Sequence, residues 1–317
     1  QKATEQGPGI ALEHPSCRKV PWQEAQGRGC GHDGDSSQRG LALLSCQKAD
    51  RCQNDGRCPR RQAIGPVHEV QAVDEDHDPQ GRAEDAEQRF IQSGPDEFIY
   101  ARYGNPTVRM FEDRMAALLG YEDCFACTSG MAAVSGALTA LLKASDHVVS
   151  SRALFGSCLY VLEDILSRFG VEITLVDGTD NAAWDAAIRP DTKMVFFESI
   201  SNPTLEVVDM RHIVKAAHAV GALVLADDAM ATPVYSYAQD CGVDLALVST
   251  TKHVDGQGRL LGGAIVGSRE LIRGPIETYM KHTGGAMNPF TAWTHLKSLE
   301  TLELRVRAQA AAALQVA

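Results

Sequence analysis

The sequence is organised around one short polar segment, Ser249-Thr250-Thr251-Lys252-His253-Val254-Asp255-Gly256-Gln257-Gly258. The apolar run before it, residues 243–248, has the composition of a buried strand. A lysine at the end of such a strand is expected to be buried, and burial disfavours the charged form of an amine. A neutral lysine amine can attack a carbonyl and form an imine. The segment therefore predicts Lys252 as a covalent catalyst.

Two hydroxyl side chains flank this lysine. Ser249 and Thr251 are two residues apart, so on a strand they would share a face. Two hydroxyls beside an imine-forming lysine suit a phosphate that also bears an aldehyde, which is pyridoxal phosphate. The alternative is a strand-end lysine that points into water, and this segment alone does not decide between the two.

A second apolar run, residues 222–226, ends in Asp227 and Asp228. Adjacent carboxylates at a strand end are costly unless a cation pairs with them. A protonated pyridine nitrogen would be such a cation, and the cofactor needs that proton to act as an electron sink. Asp227 is therefore the candidate partner of the ring nitrogen. The alternative is an ordinary turn or helix cap after the strand.

Five segments together give the chain a family resemblance. Residues 83–317 resemble the Cys/Met-metabolism family of pyridoxal-phosphate enzymes, and within it they are most similar to the O-succinylhomoserine sulfhydrylases. The segments occur in the family's order and are Tyr100-Ala-Arg-Tyr-Gly-Asn-Pro-Thr107, Ser129-Gly-Met-Ala-Ala133, Glu198-Ser-Ile-Ser-Asn-Pro-Thr204, Asp227 with Ala231-Thr-Pro233, and Ser249-Thr-Thr-Lys-His-Val-Asp-Gly-Gln-Gly-Arg259. The resemblance implies an α/β fold, namely the large domain of a fold-type-I transferase with a mostly parallel seven-stranded sheet flanked by helices. It also implies that the small C-terminal domain of the family is missing from this chain.

The resemblance also implies where each part of pyridoxal phosphate would lie. Lys252 would hold the cofactor as an imine, and Asp227 would keep its ring nitrogen protonated. Phe155 would stack on the ring, and Asn202 would lie at the phenolic oxygen. The phosphate contacts would be Gly130, Met131, Ser249 and Thr251, with Tyr100 and Arg102 contacting the phosphate of the neighbouring subunit. Arginine suits such fork-like phosphate contacts. The residues alone leave open a solvated arginine at Arg102 and ordinary core packing at Phe155.

Local signals place several of these residues at helix starts and strand ends. Pro106 is favourable in the first turn of a helix, and Ser129 is a suitable N-cap. Gly130 lets a backbone approach a ligand closely, at a helix N-terminus that favours phosphate, although many helices that begin with Ser-Gly bind nothing. Strand–helix alternation predicts a mainly parallel sheet with its ligands at the carboxyl ends of the strands. One long helix is expected over residues 289–313.

The implied reaction is a γ-replacement in methionine biosynthesis, in which O-succinylhomoserine and sulfide give homocysteine and succinate. Many relatives carry Tyr at the position of Phe155. A phenyl ring cannot exchange a proton, so more of the proton transfer would fall to Lys252. Cystathionine γ-synthase, a methionine or cystathionine γ-lyase, and a non-catalytic fragment of such an enzyme remain alternatives. Asp228 departs from the family's Asn and could perturb its neighbour.

Bulk properties exclude some classes of partner. The net charge of −11 argues against a nucleic-acid surface, and no apolar run has the length of a membrane span. With no signal-peptide pattern at the start, a cytoplasmic enzyme is expected. Its substrate would be a small amino acid. We expect it to be a homo-oligomer, either a dimer with shared sites or a tetramer. Nine cysteines fit no secreted framework, and Cys124 and Cys127 are interpreted as reduced packing residues.

The first 82 residues differ from the rest of the chain. They are rich in Gln, Gly, Asp, Arg and His, and the chain opens with Gln while its first methionine is Met110. We expect residues 1–82 to be a non-family segment, disordered or misframed, and residues 83–317 to be the cofactor-binding domain. The cysteine and histidine spacings in the first segment, at Cys46, Cys52, Cys58, His68 and His77, do not match a zinc site, so no metal is expected.

Overall fold

The computed structural model describes residues 100–317, together with Glu84, Glu87, Gln88 and Phe98. The hypotheses about residues 1–82, including their cysteines and histidines, lie outside the described residues. In the part of the chain that is described, no helix is both long and apolar enough to cross a membrane.

A seven-stranded sheet forms the centre of the described region. Its strands are β1 Asp123–Cys127, β2 His147–Ser151, β3 Glu172–Val176, β4 Thr192–Glu198, β5 Leu223–Asp227, β6 Leu245–Val248 and β7 Gly263–Gly267. They lie in the order β1-β7-β6-β5-β4-β2-β3. Strand β7 is antiparallel to both of its neighbours, and the other pairs are parallel. The predicted mostly parallel sheet is confirmed, and six strands end at the same edge.

Helices cover both faces of this sheet. They are α1 Pro106–Leu119, α2 Gly130–Leu141, α3 Gly156–Tyr160, α4 Asn181–Ala187, α5 Met210–Ala219, α6 Thr232–Tyr235, α7 Ala238–Cys241, α8 Arg269–Leu271, α9 Glu277–Thr283, α10 Pro289–Leu299 and α11 Leu302–Val316. One apolar cluster joins α1, α4, α5 and α10 to one face. A second joins α2, α3 and the π-helical turns Val161–Ile165 and Ile272–Ile276 to the other. Because both faces are covered, the central strands are almost uniformly apolar.

Helices α1 and α2 begin where the capping residues predict, whereas the helix expected over residues 289–313 is interrupted. The side chain of Asn105 accepts hydrogen bonds from Thr107 N and Val108 N at the start of α1, and Ser129 caps α2 through Ala132 N. The single long helix expected over residues 289–313 is instead two helices, α10 and α11. At the break, the carbonyl oxygen of Ser298 accepts from Thr301 N and from Arg305 Nη2, which satisfies it outside a continuous helix.

The cysteines of the described region are reduced and buried. Cys124 and Cys127 lie within β1, and burial raises the pKa of both thiols. A high thiol pKa disfavours the reactive thiolate. The interpretation of this C-x-x-C pair as packing residues is therefore confirmed.

A partly buried ion cluster connects α1, β1 and the turn after α8. Arg273 Nη2 lies 2.6 Å from Asp123 Oδ1 and 2.9 Å from Glu112 Oε2, and Arg109 Nη1 lies 2.8 Å from Asp123 Oδ1. Burial raises the pKa of Asp123, but the hydrogen bonds and charges of the two arginines outweigh it and leave the pKa lowered. Arg273 thus compensates two carboxylates that are almost fully removed from water.

Arg273→Met is expected to lower the free energy of unfolding by about 3 kcal/mol, because it leaves Glu112 and Asp123 buried with too little compensating charge. Arg189→Met is the control: Arg189 pairs with Glu172 on the surface, and such pairs contribute about 0.5 kcal/mol. Urea unfolding of both variants measures the difference. Equal losses for the two variants would contradict a structural role for the buried cluster.

Candidate active site

The carboxyl edge of the sheet gathers most of the residues that the sequence singled out. Asp227 is the last residue of β5, and Ser249 directly follows β6. Asn202 follows β4, Phe155 lies in the loop after β2, and Gly130 opens α2 just beyond β1. Strands β4, β5 and β6 are adjacent in the sheet, so the residues at their ends come together although they are distant in sequence.

Asp227 has little to stabilise its negative charge. Its Oδ1 accepts one hydrogen bond, 3.0 Å long, from Ala229 N. Burial raises the pKa of Asp227 to about 7; the bond from Ala229 opposes this, and the charges of Glu198 and Asp228 add to it. No cation pairs with this carboxylate among the described residues. A cationic ligand group at Asp227 would favour the ionised form and gain a strong ion pair.

Glu198 is the last residue of β4 and ties two loops of the site to the sheet. Its Oε1 accepts from Phe155 N at 2.5 Å, and its Oε2 accepts from Asn202 N at 2.7 Å. The sequence analysis gave Glu198 no role. The sequence feature that could have identified Glu198 is the same one that identified Asp227: an acidic residue at the end of a buried strand. The side-chain sulfur of Cys158 and carboxylate oxygens of Glu198 and Asp227 lie within 4.8 Å of one another. No local sequence pattern indicated that Cys158 would lie at this site.

The two loops held by Glu198 present their side chains at the surface. Phe155 is 44% exposed, although its backbone N–H is anchored by Glu198. Asn202 is also exposed, with only its backbone N–H engaged by Glu198. An exposed ring and an exposed amide at one edge can stack on and hydrogen-bond a flat ligand.

Gly130 and Ser249 touch across the space between β1 and β6. A Cβ added to Gly130 would lie 2.8 Å from both Cβ and Oγ of Ser249, so only glycine fits there. The first N–H groups of a helix lack partners inside it, and these are the groups of Gly130 and Met131 at the start of α2. Met131 packs its side chain against the core. A hydroxyl beside a helix N-terminus is a suitable phosphate site.

Thr251 is engaged within its own loop. Its hydroxyl donates to the carbonyl oxygen of Gly262 at 3.2 Å and accepts from Gly262 N at 3.0 Å. A hydroxyl has a single proton to donate, so in this arrangement Thr251 has none left for a phosphate. The predicted phosphate contact of Thr251 therefore requires a change of its partner.

Lys252 is not where the apolar run predicted. Strand β6 ends at Val248, and Lys252 lies in a turn closed by hydrogen bonds from Lys252 N to Ser249 O and from Gly256 N to Lys252 O. Its side chain is exposed. The prediction of a buried strand-end lysine is wrong, as is that of a shared strand face for Ser249 and Thr251, because the strand ends at Val248, before all three.

Tyr100 and Arg102 lie apart from the other candidates. The guanidinium of Arg102 lies over the rings of Tyr100 and Tyr103, 5.1 and 4.9 Å from their centroids, and it donates to the carbonyl oxygen of Lys281. Within the described residues, no hydrogen bond or ion pair connects this cluster to Lys252 or Asp227. Contributions of Tyr100 and Arg102 to the site of a neighbouring subunit remain a prediction.

Asp228 has a hydrogen-bond partner that Asp227 does not share. It is fully buried, and its Oδ1 accepts a 2.6 Å hydrogen bond from Ser199 Oγ. Burial raises the pKa of Asp228, which favours its neutral form. The sequence analysis left open a competition between the two carboxylates; the geometry gives Asp228 a separate partner and a weak repulsive effect on Asp227.

These features fit pyridoxal phosphate. Among the described residues no cation pairs with the carboxylate of Asp227, the Ser249 hydroxyl lies beside the N-terminus of α2, and Lys252 is exposed at the same edge. Sheet, carboxylate and lysine together define the class of fold-type-I pyridoxal-phosphate enzymes.

Comparisons with known proteins agree with this class. A model of the family described as Cys/Met metabolism PLP-dependent enzymes matches residues 81–317. O-succinylhomoserine sulfhydrylase of Mycobacterium tuberculosis is 49% identical over 222 residues, which are 70% of this chain and 55% of that protein. The enzyme of the same name from Pseudomonas aeruginosa is 41% identical over 235 residues, 74% of this chain and 58% of that protein. The crystal structure of cystathionine gamma-lyase from Lactobacillus plantarum complexed with L-serine matches with a TM-score of 0.63 and 31% identity, covering 67% of this chain and 55% of that one.

The chain belongs to the Cys/Met metabolism family of pyridoxal-phosphate-dependent enzymes, and pyridoxal phosphate is the cofactor of this family. The family and cofactor predictions are thereby confirmed. The chain spans about 55% of the length of the curated relative from Mycobacterium tuberculosis.

Proposed function

We propose that this chain is the cofactor-binding part of an enzyme that replaces the succinyloxy group on Cγ of O-succinylhomoserine with sulfide, giving homocysteine and succinate. The observation that carries the proposal is the convergence of Asp227, Lys252, Gly130 and Ser249 at one sheet edge. The choice of reaction rests on the two sulfhydrylase relatives, which are 49% and 41% identical to the chain.

Each residue has a separate task in this proposal. When bound, pyridoxal phosphate supplies an electron sink for negative charge on the substrate carbons. Asp227 holds the proton on the ring nitrogen through an ion pair. The N–H groups of Gly130 and Met131, with the Ser249 hydroxyl, hold the phosphate. Lys252 would hold the cofactor covalently and would then move protons at Cα and Cβ of the substrate.

The remaining candidates orient the ring. Phe155 would stack on one face of the ring, and the Asn202 amide would donate to its phenolic oxygen. Because a phenyl ring exchanges no proton, Phe155 leaves Lys252 as the main acid and base. Glu198 joins this proposal as a positioning residue, since it holds the backbone N–H groups of both Phe155 and Asn202.

The proposed assembly is a homo-oligomer with shared sites. The half-buried Arg102 lies against the exposed ring of Tyr100, and no hydrogen bond or ion pair within the described residues links this cluster to Lys252 or Asp227. Both residues therefore remain available for a phosphate held by a partner subunit. A dimer, further paired into a tetramer, would use them in this way. We place the enzyme in the cytoplasm and assign residues 83–317 to the cofactor-binding domain.

A product analysis tests the reaction. The chain, and a version extended at both ends, are incubated with pyridoxal phosphate, O-succinylhomoserine, and sulfide in competition with cysteine. We expect homocysteine and succinate in equal amounts. Cystathionine as the main product would identify a γ-synthase instead, and 2-oxobutyrate with ammonia would identify a γ-lyase. Activity of the extended version alone would mean that this chain is a non-catalytic fragment.

A further inference from the structure

The loop that carries Lys252, residues 249–259, is held by the two C-terminal helices in addition to its hydrogen bonds with Gly262, directly before β7. Arg305 on α11 donates from Nη1 to the carbonyl oxygen of His253 at 2.8 Å and from Nη2 to that of Val254 at 3.1 Å. Nη2 also donates to the carbonyl oxygen of Ser298, at the end of α10. One guanidinium thus connects the two residues directly after Lys252 to the helix pair.

The backbone of this loop lies directly against the guanidinium. Gly256 has a φ of +68°, and a Cβ added there would lie 1.9 Å from Arg305 Nη1. Only glycine allows both the left-handed backbone and this close approach. The contact therefore depends on the geometry of Gly256 and Arg305 together.

Two further groups stiffen the same loop. Asp255 is fully buried, and its carboxylate accepts from Arg259 N at 2.8 Å and from Arg259 Nε at 3.0 Å. Thr250 shares a 3.1 Å hydrogen bond with Nε2 of His295 on α10. Burial lowers the pKa of His295 to about 4, so this imidazole is a neutral partner near pH 7. Arg305 acts at the centre of these contacts, beside the lysine.

We propose that Arg305 is a positioning residue for Lys252, an inference that rests on the proposed function. The lysine side chain is exposed, so its direction is set by the turn backbone rather than by surrounding packing. The carbonyls of His253 and Val254 belong to that turn, and Arg305 binds both. A misplacement of about 1 Å at a reacting group can cost about 10²-fold in rate, so the α10–α11 pair controls how Lys252 reaches the cofactor aldehyde.

The test compares Arg305→Met and Arg305→Lys with the matched control Arg307→Met. Arg307 lies on the same helix, and within the described part of the chain its side chain makes only an exposed pair with Glu303. Three readouts are taken well below the melting temperature: the rate at which the visible band of lysine-captured pyridoxal phosphate appears, the affinity for pyridoxal phosphate, and hydrogen exchange in residues 249–259. Lys252→Ala supplies the background from other lysines.

We expect Arg305→Met to slow capture and weaken affinity about tenfold or more, since two hydrogen bonds from a charged donor are lost, with faster exchange in the loop. Arg305→Lys should recover part of the loss, because it keeps the charge but not the fork, and Arg307→Met should match the parent. If Arg305→Met does not fold, Arg305→Lys is used for the test. The inference is then supported if Arg305→Lys captures pyridoxal phosphate at least threefold more slowly than Arg307→Met.

The inference is overturned if Arg305→Met captures pyridoxal phosphate at the parent's rate and affinity. The same holds for a folded Arg305→Lys when Arg305→Met does not fold. In both cases the proposed function is left standing. A parent that captures pyridoxal phosphate leaves the inference standing even if neither it nor the extended version forms homocysteine, a result that overturns the proposed reaction. A parent that captures none overturns both. A fall in melting temperature with unchanged capture would make Arg305 a stabilising residue only, which also contradicts the inference.

Discussion

Lys252→Ala is expected to reduce turnover of O-succinylhomoserine by at least about 10³-fold, since it removes both the nucleophile that captures the cofactor and the proposed general acid and base. The visible band that develops when pyridoxal phosphate is added should disappear in the same variant. Both effects follow from one amine, which the structure leaves accessible at the carboxyl edge of the sheet.

The control for this prediction is Lys297→Ala. Lys297 is exposed on α10 and pairs only with Glu300, so its loss should change neither the band nor the rate. Steady-state assays and absorption spectra of the two variants separate a specific lysine from general reactivity toward the aldehyde. A Lys252→Ala protein that still turned over substrate at a tenth of the parent's rate would refute the assignment.

Asp227→Asn is expected to reduce turnover by roughly 10² to 10³-fold, comparable to the loss of one preorganised charge contact at a reacting group. An amide cannot hold a proton on the ring nitrogen through an ion pair. The same change should make the cofactor-free protein more stable. Burial raises the pKa of Asp227 to about 7, against about 3.9 for an unfolded aspartate, so ionised Asp227 opposes folding.

The stability gain depends on pH in a definite direction. Below about pH 4 the aspartate is protonated in both states and the Asn variant has no advantage. The gain should grow as pH rises from about 4 to the folded-state pKa of about 7 and stay constant above it. Melting temperatures of Asp227→Asn and the parent across this pH range test the sign of the stability change. In the activity assay, Asp228→Asn is the control and should keep its activity. A less stable Asp227→Asn protein at pH 8 would contradict the unpaired carboxylate.

Much of the fold was predictable because its signals are local. Apolar runs predicted the strands that end at Asp227 and Val248, and capping residues predicted the starts of α1 and α2. Alternation of strands and helices predicted the parallel sheet, whose carboxyl edge brings Asp227 and Ser249 together. These features depend on residues close in sequence, where hydrophobic periodicity and caps carry the information.

Other features could not be predicted, because they depend on contacts between distant segments. The burial expected for Lys252 was wrong because the strand ends before the turn, and an apolar run does not mark where the backbone stops pairing. The role of Glu198 depends on the loop of Phe155, 43 residues away. The hold of Arg305 on His253 spans 52 residues.

The sequence by itself determined the class of protein, through the family resemblance of its five motifs, and the mostly parallel α/β sheet, and it singled out the candidate residues for pyridoxal phosphate. Periodicity and capping predicted individual strands and helix starts, because each reports a local chemical preference. Only the tertiary structure decided how those residues are presented: Lys252 exposed on a turn, Asp227 without a cation, Thr251 occupied by Gly262, and the lysine loop held by Arg305. The physical reason is that side-chain partners, and with them charge states, are set by packing between elements rather than by neighbours along the chain.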